Sequence, residues 1–150
     1  MVAVEVTRPL QEKTGDSMND EDIRILLENV NAKKHAEFIE SYLVLNESDK
    51  QDPDLMMAYA DSLYELGRDA EAIDAYLRYA QSYPKRRGVN FALFGAAMAF
   101  KNIGLEVEAL YLLKLVNPNH TNLNNEILDS KQKIDIQNQG IDLLRQFKQE

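Results

Sequence analysis

A nine-residue stretch of this chain recurs at a fixed distance along the sequence. Residues 35–43 and residues 69–77 are identical at five of the nine positions, and two further positions carry near-equivalent residues. A third copy starts at Glu106, and the Pro84 and Gly88 that precede it mark a loop that absorbs its three extra residues. Self-similarity with a period of about 34 residues is typical of stacked helical hairpins. We therefore predict an all-α chain that presents a binding surface rather than a catalytic pocket.

The composition restricts the partners of such a surface. The 150 residues carry a net charge of -8 and an isoelectric point near 4.8, whereas nucleic acids and anionic membranes attract basic surfaces. The chain has no cysteine, and its start has neither a basic export signal nor an apolar run of about 18 residues. We therefore expect a cytoplasmic protein with no nucleic-acid partner and no stable membrane insertion.

The helix signals divide the chain into a tail and one domain. Residues 1–18 are expected to form a flexible tail, although the alternation of Val2, Val4 and Val6 also suits a strand docked on a neighbouring chain. Residues 19–150 are expected to form a single domain. Within it, three helical hairpins are predicted at about residues 19–52, 53–86 and 90–118, and a longer helix at about residues 121–148.

Residues that favour helix ends delimit these hairpins. Asn19 and the acidic residues 20–22 mark a helix start, and Pro53 suits the first position of the helix that opens the second hairpin. Gly67 and Gly104 mark the turns inside the second and third hairpins.

The last helix carries an apolar stripe with two polar interruptions. Its members alternate at steps of four and three residues: Leu123, Ile127, Ser130, Ile134, Gln137, Ile141 and Leu144. Exposed ends of a stacked array need covering, so we expect a capping helix that covers the third hairpin. A coiled coil between copies is the alternative, because Ser130 and Gln137 weaken such a seam without forbidding it.

The middle hairpin carries large and small residues in a recurring order, at Met56, Tyr59, Ala60, Leu63, Ala72, Tyr76 and Pro84. This order resembles the tetratricopeptide repeat (TPR). The third hairpin is similar, whereas the first has Phe38 in place of an alanine and no turn glycine. The resemblance covers about residues 19–118 and implies a TPR-like solenoid. On the second helix of the middle unit, we expect Ala72 between helices and Ala75 at the surface.

In the TPR family, the first helices of the hairpins line a concave groove that holds a peptide segment of a partner. Carried over to this sequence, the resemblance implies groove positions at Met57, Asp61, Tyr64, Phe91, Phe94, Met98 and Lys101, with Asp54, Glu65 and Asn102 beside them. Met and Phe stand where family members that bind acidic tails present Lys and Asn, so a carboxylate clamp is not expected. Flexible Met beside aromatic rings suits a protein or peptide partner with apolar anchors.

Two classes of function follow from this resemblance. The first is a non-catalytic adaptor or chaperone that binds a peptide segment in its groove. The second is a structural, self-assembling subunit joined through the C-terminal helix or the N-terminal tail, which leaves a homodimer open. Size, acidity and the three-hairpin layout are also similar to small TPR chaperones of bacterial type III secretion.

Residues with catalytic or metal-binding chemistry do not converge in this sequence. His35 and His120 are the only histidines, and each is expected to be a surface or loop residue. Phosphate-loop, serine-nucleophile and zinc-protease motifs are missing. We therefore expect no enzyme, no cofactor and no metal. The basic run at residues 85–87 is expected to be a solvated loop, because three charges make a poor nucleic-acid footprint.

Overall fold

The computed structural model describes residues 18–120 and 122–148, and within them it is all-helical, with seven α-helices and no strand. The helices are α1 (Asp20–Asn31), α2 (His35–Leu43), α3 (Pro53–Glu65), α4 (Asp69–Ser82), α5 (Gly88–Asn102), α6 (Glu106–Leu113) and α7 (Leu123–Lys148). A short 3₁₀ helix (Asp49–Gln51) precedes α3. The all-α prediction is confirmed. Apart from Met18, the tail expected over residues 1–18 lies outside the described residues.

The helix starts follow the capping residues of the sequence. Asn19 caps α1: its side-chain oxygen accepts a hydrogen bond from the Asp22 amide at 2.9 Å, and the Asp22 carboxylate accepts one from the Asn19 amide at 3.4 Å. Pro53 is the first residue of α3, and the Asp52 carboxylate accepts a hydrogen bond from the Leu55 amide at 3.0 Å. Two of the predicted helix starts are therefore set by hydrogen bonds between residues three apart in the sequence.

The turn inside each hairpin uses one left-handed residue. Gly67 between α3 and α4 has φ 75°, and Gly104 between α5 and α6 has φ 83°. Lys33 occupies the corresponding place between α1 and α2, with φ 61°. The first hairpin therefore makes the same turn without the glycine, at a backbone cost of about 1–2 kcal/mol for a residue with a side chain.

The helices pack mainly on their neighbours along the chain. Each helix contacts the next, and α3 contacts α1 on one side and α5 on the other. The buried side chains form two groups. The smaller contains Leu26, Phe38, Tyr42, Leu55 and Ala58, and the larger runs from Ile39 in α2 to Leu123 in α7. Phe38, which stands where the TPR pattern has an alanine, is fully buried in the smaller group.

The most extensive contact joins α4 to α5, and glycine makes it possible. A Cβ atom at Gly95 would lie 2.5 Å from the Tyr76 ring, and one at Gly88 would lie 2.2 Å from the Tyr79 hydroxyl. Two tyrosines of α4 thus lie directly against glycines of α5. Ala75, expected at the surface, is only 6% exposed and belongs to the larger buried group. That expectation was wrong, because α4 is packed on more of its circumference than one apolar stripe indicates.

Helix α7 covers the third hairpin with only part of its length. Leu123 is buried and Ile127 packs against the larger group, whereas every described residue from Asp135 onward is exposed. The two polar interruptions of the stripe bind the body of the protein. Ser130 donates a hydrogen bond to Glu106 at 3.1 Å, and Gln137 donates one to the Gly104 carbonyl at 3.2 Å. The first half of the capping helix is therefore packed on the hairpin, whereas its second half is exposed and contacts the body through the Gln137 hydrogen bond.

We expect Gly95→Ala to destabilise the protein by about 1–3 kcal/mol through overpacking against Tyr76. The loss should occur although alanine favours a helix by about 1 kcal/mol over glycine. Gly140→Ala in α7 is the matched control, because nothing lies within 4 Å of a Cβ added there. Urea unfolding should show a lower midpoint for Gly95→Ala only. Equal midpoints for the two variants would contradict the close approach of α4 and α5.

Candidate functional site

A cleft of about 540 Å³ separates α3 from the start of α5. Its lining comes from three parts of the chain: Pro53, Asp54, Met57 and Asp61 of α3, Tyr79 of α4, and Arg86, Arg87, Gly88, Phe91, Phe94 and Gly95 of the α4–α5 loop and α5. This volume lies in the range of about 300–1,000 Å³ that is usual for ligand sites. The cleft can therefore accept several side chains of a partner.

Tyr79 of α4 lines the cleft, and Tyr76 of the same helix contacts two lining residues, Asp61 and Gly95. The Tyr76 hydroxyl donates a hydrogen bond of 2.5 Å to Asp61 Oδ1, which joins α4 to α3, while the same ring lies against Gly95 of α5. Burial raises the pKa of Asp61, and the hydrogen bond from Tyr76 opposes this by lowering it. Burial also raises the pKa of Tyr76, with the Asp61 charge adding to the effect. Asp61 is thus a partly buried group engaged by the fold.

Aromatic rings of α5 form the apolar wall of the cleft. Phe91 is 64% exposed, which is unusual for so large an apolar side chain. Phe94 is half-buried, and the His120 ring stacks on it at a centroid distance of 4.4 Å. His120 also meets Phe91 edge-on at 5.3 Å. His120, expected to be a surface or loop residue, therefore contacts both rings of this wall.

The structure places four of the seven sequence-predicted site residues in the cleft: Met57, Asp61, Phe91 and Phe94. Tyr64 and Met98 are half-buried and pack against the larger core instead of lining the cleft. Lys101, the seventh residue, neither lines the cleft nor packs against the larger core, because its side chain is directed to α7.

Lys101 is the centre of a buried polar cluster between α5, α6 and α7. Its side chain is 9% exposed and forms an ion pair with Asp129, and Glu106, which is 3% exposed, lies 3.5 Å away. Ser130 Oγ lies 3.1 Å from the Lys101 amine, and Glu126 lies 3.9 Å from it. Burial lowers the pKa of Lys101, but the Asp129 hydrogen bond and the nearby carboxylates outweigh it, so the pKa is raised. Lys101 thus positions α7.

Two arginines of the basic run, which was expected to be a solvated loop, line the cleft. Arg86 and Arg87 lie on the α5 side, and Arg86 sits over the Tyr83 ring at 5.8 Å. Tyr83 in turn donates a hydrogen bond to the Gln51 carbonyl. Arg87 directly precedes α5 with helical dihedral angles, which places it one turn before Phe91. Counting four residues back from Phe91 would have found Arg87 in the sequence.

Two neighbouring cavities share residues with the cleft. One of about 470 Å³ lies between α1 and α3 and shares Asp54, and another of about 340 Å³ near Lys33 shares Asp61. A series of depressions therefore follows α3 along one side of the molecule.

Within the described residues, no group of three or more acidic or histidine side chains is placed to hold a metal ion. None of the helices in this part of the chain combines the length and the apolar character needed to cross a membrane. No family model matches this sequence, and no curated protein is significantly similar to it. The geometry of the cleft is therefore the basis for assigning a function.

We expect Lys101→Met to destabilise the protein by about 3–5 kcal/mol, because the buried Glu106 carboxylate then lacks a cation. The double variant Lys101→Met with Glu106→Leu should recover most of the loss, because it removes both charges. Urea unfolding of the three proteins measures the difference. A double variant as unstable as Lys101→Met would contradict a coupled pair.

The same cluster gives a dependence on pH. The hydrogen bonds from Lys101 and Lys133 lower the pKa of Asp129, so its stabilising effect is present above the unfolded pKa of about 4 and is lost as the pH falls further. The difference in unfolding free energy between wild type and Lys101→Met, measured by urea unfolding, should therefore become smaller as the pH falls below about 4.

Proposed function

We propose that this chain is a non-catalytic, cytoplasmic TPR-like module that binds a peptide segment of another protein in the α3–α5 cleft, as an adaptor or chaperone. The observation that carries the proposal is the exposed Phe91 in a cleft that also contains Met57 and Phe94. A large ring kept in solvent beside a preformed depression is typical of a binding surface.

The order of the helices supports a solenoid for this module. Repeated turns at Lys33, Gly67 and Gly104 divide the first six helices into three pairs of one design. The first helices of successive pairs touch one another, so α3 and α5 form two adjacent walls. An extended or helical segment lying between them would contact both hairpins. Such a segment would add stability to the array because it binds only the folded chain.

The proposal is tested with a phage-displayed library of random peptides, panned on the wild-type protein. Selected peptides are then synthesised, and their affinities are measured by calorimetry for wild type and for Phe91→Asp. We expect Phe91→Asp to weaken binding about tenfold or more, because it removes an aromatic contact. Its unfolding free energy should change by only about 0.5 kcal/mol, since the side chain is mostly exposed.

Tyr111→Asp is the matched control for this substitution. Tyr111 of α6 is 68% exposed and does not line the cleft. It lies in an exposed apolar row with Val107 and Leu115, so the control also tests that row. Peptides that lose affinity for Tyr111→Asp and keep it for Phe91→Asp would refute binding in the cleft.

Self-assembly is the second candidate, and the free half of α7 favours it. Five apolar residues in this half are about half exposed or more: Ile136, Ile141, Leu143, Leu144 and Phe147. Helical spacing places them on one side together with Gly140, around which nothing in the described chain lies close. Two copies of this face could bury it by packing on each other.

Leu144→Glu should abolish this association, because it places a charge in the middle of the apolar face. Gln146→Glu adds the same charge on the opposite side of α7 and should have no effect. Sedimentation equilibrium over a dilution series measures the mass against the 17.2 kDa of one chain. A wild-type mass of one chain at every concentration would rule out this role.

A further inference from the structure

Charge is distributed unevenly across the cleft. The α3 wall carries Asp54 and Asp61, and the α5 side carries Arg86 and Arg87. Asp61 is already hydrogen-bonded to Tyr76 and partly buried, so its charge is directed into the fold. Asp54 and both arginines are exposed, so the cleft presents one carboxylate on its α3 wall and two guanidinium groups on its α5 side.

Arg86 and Arg87 have no carboxylate partner within the part of the chain that the structure describes. Among the described residues, ten ion-paired contacts are formed within 4 Å by other basic side chains, such as Arg24, Arg68 and Arg78 with their helical neighbours, and none of them involves Arg86 or Arg87. In a chain with a net charge of -8, carboxylates are abundant. Two adjacent arginines without a carboxylate partner, on the rim of an apolar cleft, are therefore available to a ligand.

The geometry also fixes how far such a ligand group can lie from an apolar anchor. Arg87 and Phe91 are four residues apart in helical conformation, so their Cβ atoms are separated by about 5–6 Å on one face. The Arg86 guanidinium lies over the Tyr83 ring, and Arg86 lines the same cleft as Arg87 and Phe91. A group bound by Arg87 therefore lies within about one helical turn of a side chain packed on Phe91.

We propose that the segment bound in the cleft is an acidic one, with an Asp or Glu carboxylate within about four residues of an apolar anchor. Arg86 and Arg87 receive the carboxylate, and Phe91 and Met57 receive the anchor. Guanidinium groups bind carboxylates through paired hydrogen bonds, which gives direction as well as affinity. The inference rests on the proposed function, because it names the chemistry of the segment bound at that same site.

The peptide library tests this inference separately from the proposed function. Among peptides that lose affinity for Phe91→Asp, we expect enrichment of Asp or Glu within about four positions of an aromatic or aliphatic residue. The variant Arg86→Gln with Arg87→Gln should bind such a peptide about tenfold more weakly, and a peptide with Gln in place of Glu should lose about as much for wild type. The two losses should not add, since both remove the same contact.

A control variant separates local contact from net charge. Lys114→Gln with Lys131→Gln changes the net charge by the same amount, at two exposed lysines outside the cleft, and should leave the affinity unchanged. Added salt gives a second readout. It should weaken the binding of an acidic peptide if the arginines hold it, and strengthen it if only the net charge of -8 acts.

The outcomes separate the two proposals. Peptides that bind in the cleft without acidic enrichment, with equal affinity for the arginine variant, overturn this inference and leave the peptide-binding module intact. Failure to select any peptide that depends on Phe91 overturns the proposed function and this inference with it.

Discussion

The close approach of Tyr76 to Gly95 determines how α3, α4 and α5 pack together. A tyrosine ring fits between α4 and α5 only because glycine leaves room for it, and its hydroxyl then reaches Asp61 of α3. One side chain thus fixes the relative positions of three helices. Since α3 and α5 are the walls of the cleft, the width of the candidate site is set by a contact beneath it. A preformed site of this kind spares a partner the entropy of ordering it.

The C-terminal end of the array is fixed by polar chemistry instead. Lys101, Glu106 and Ser130 are nearly or fully buried, and their hydrogen bonds define one position of α7 along α5 and α6. Apolar contacts alone would tolerate a shift of the helix by one turn more easily than a buried ion pair does. The same cluster holds the Lys101 amine, so Lys101 does not line the cleft.

Much of the fold could be predicted from the sequence because its signals are local. The caps at Asn19 and Asp52 and the turns at Gly67 and Gly104 each involve a few neighbouring residues. The site was harder to predict. Met57 and Phe91 were implied by the resemblance to the TPR family, whereas the position of Lys101 depends on Asp129, which lies 28 residues away.

The other failures have the same origin. The sequence of the basic loop does not reveal that Arg86 and Arg87 line the same cleft as Phe91, and one helical period does not reveal that Ala75 is covered. Tertiary contacts decided each of these positions. The periodicity of single helices carries no information about them.

The separate core of the first hairpin has a consequence for cooperativity. Leu26, Phe38 and Tyr42 are buried with the start of α3 and not with the larger group, and Lys33 adds strain to the same hairpin. In an array with contacts between neighbours only, such an end unit can open while the remainder stays folded. Amide hydrogens of α1 and α2 should then exchange with solvent sooner than those of α4 and α5. The first hairpin would then unfold locally before the remainder, so the native protein would not behave as a single all-or-none unit.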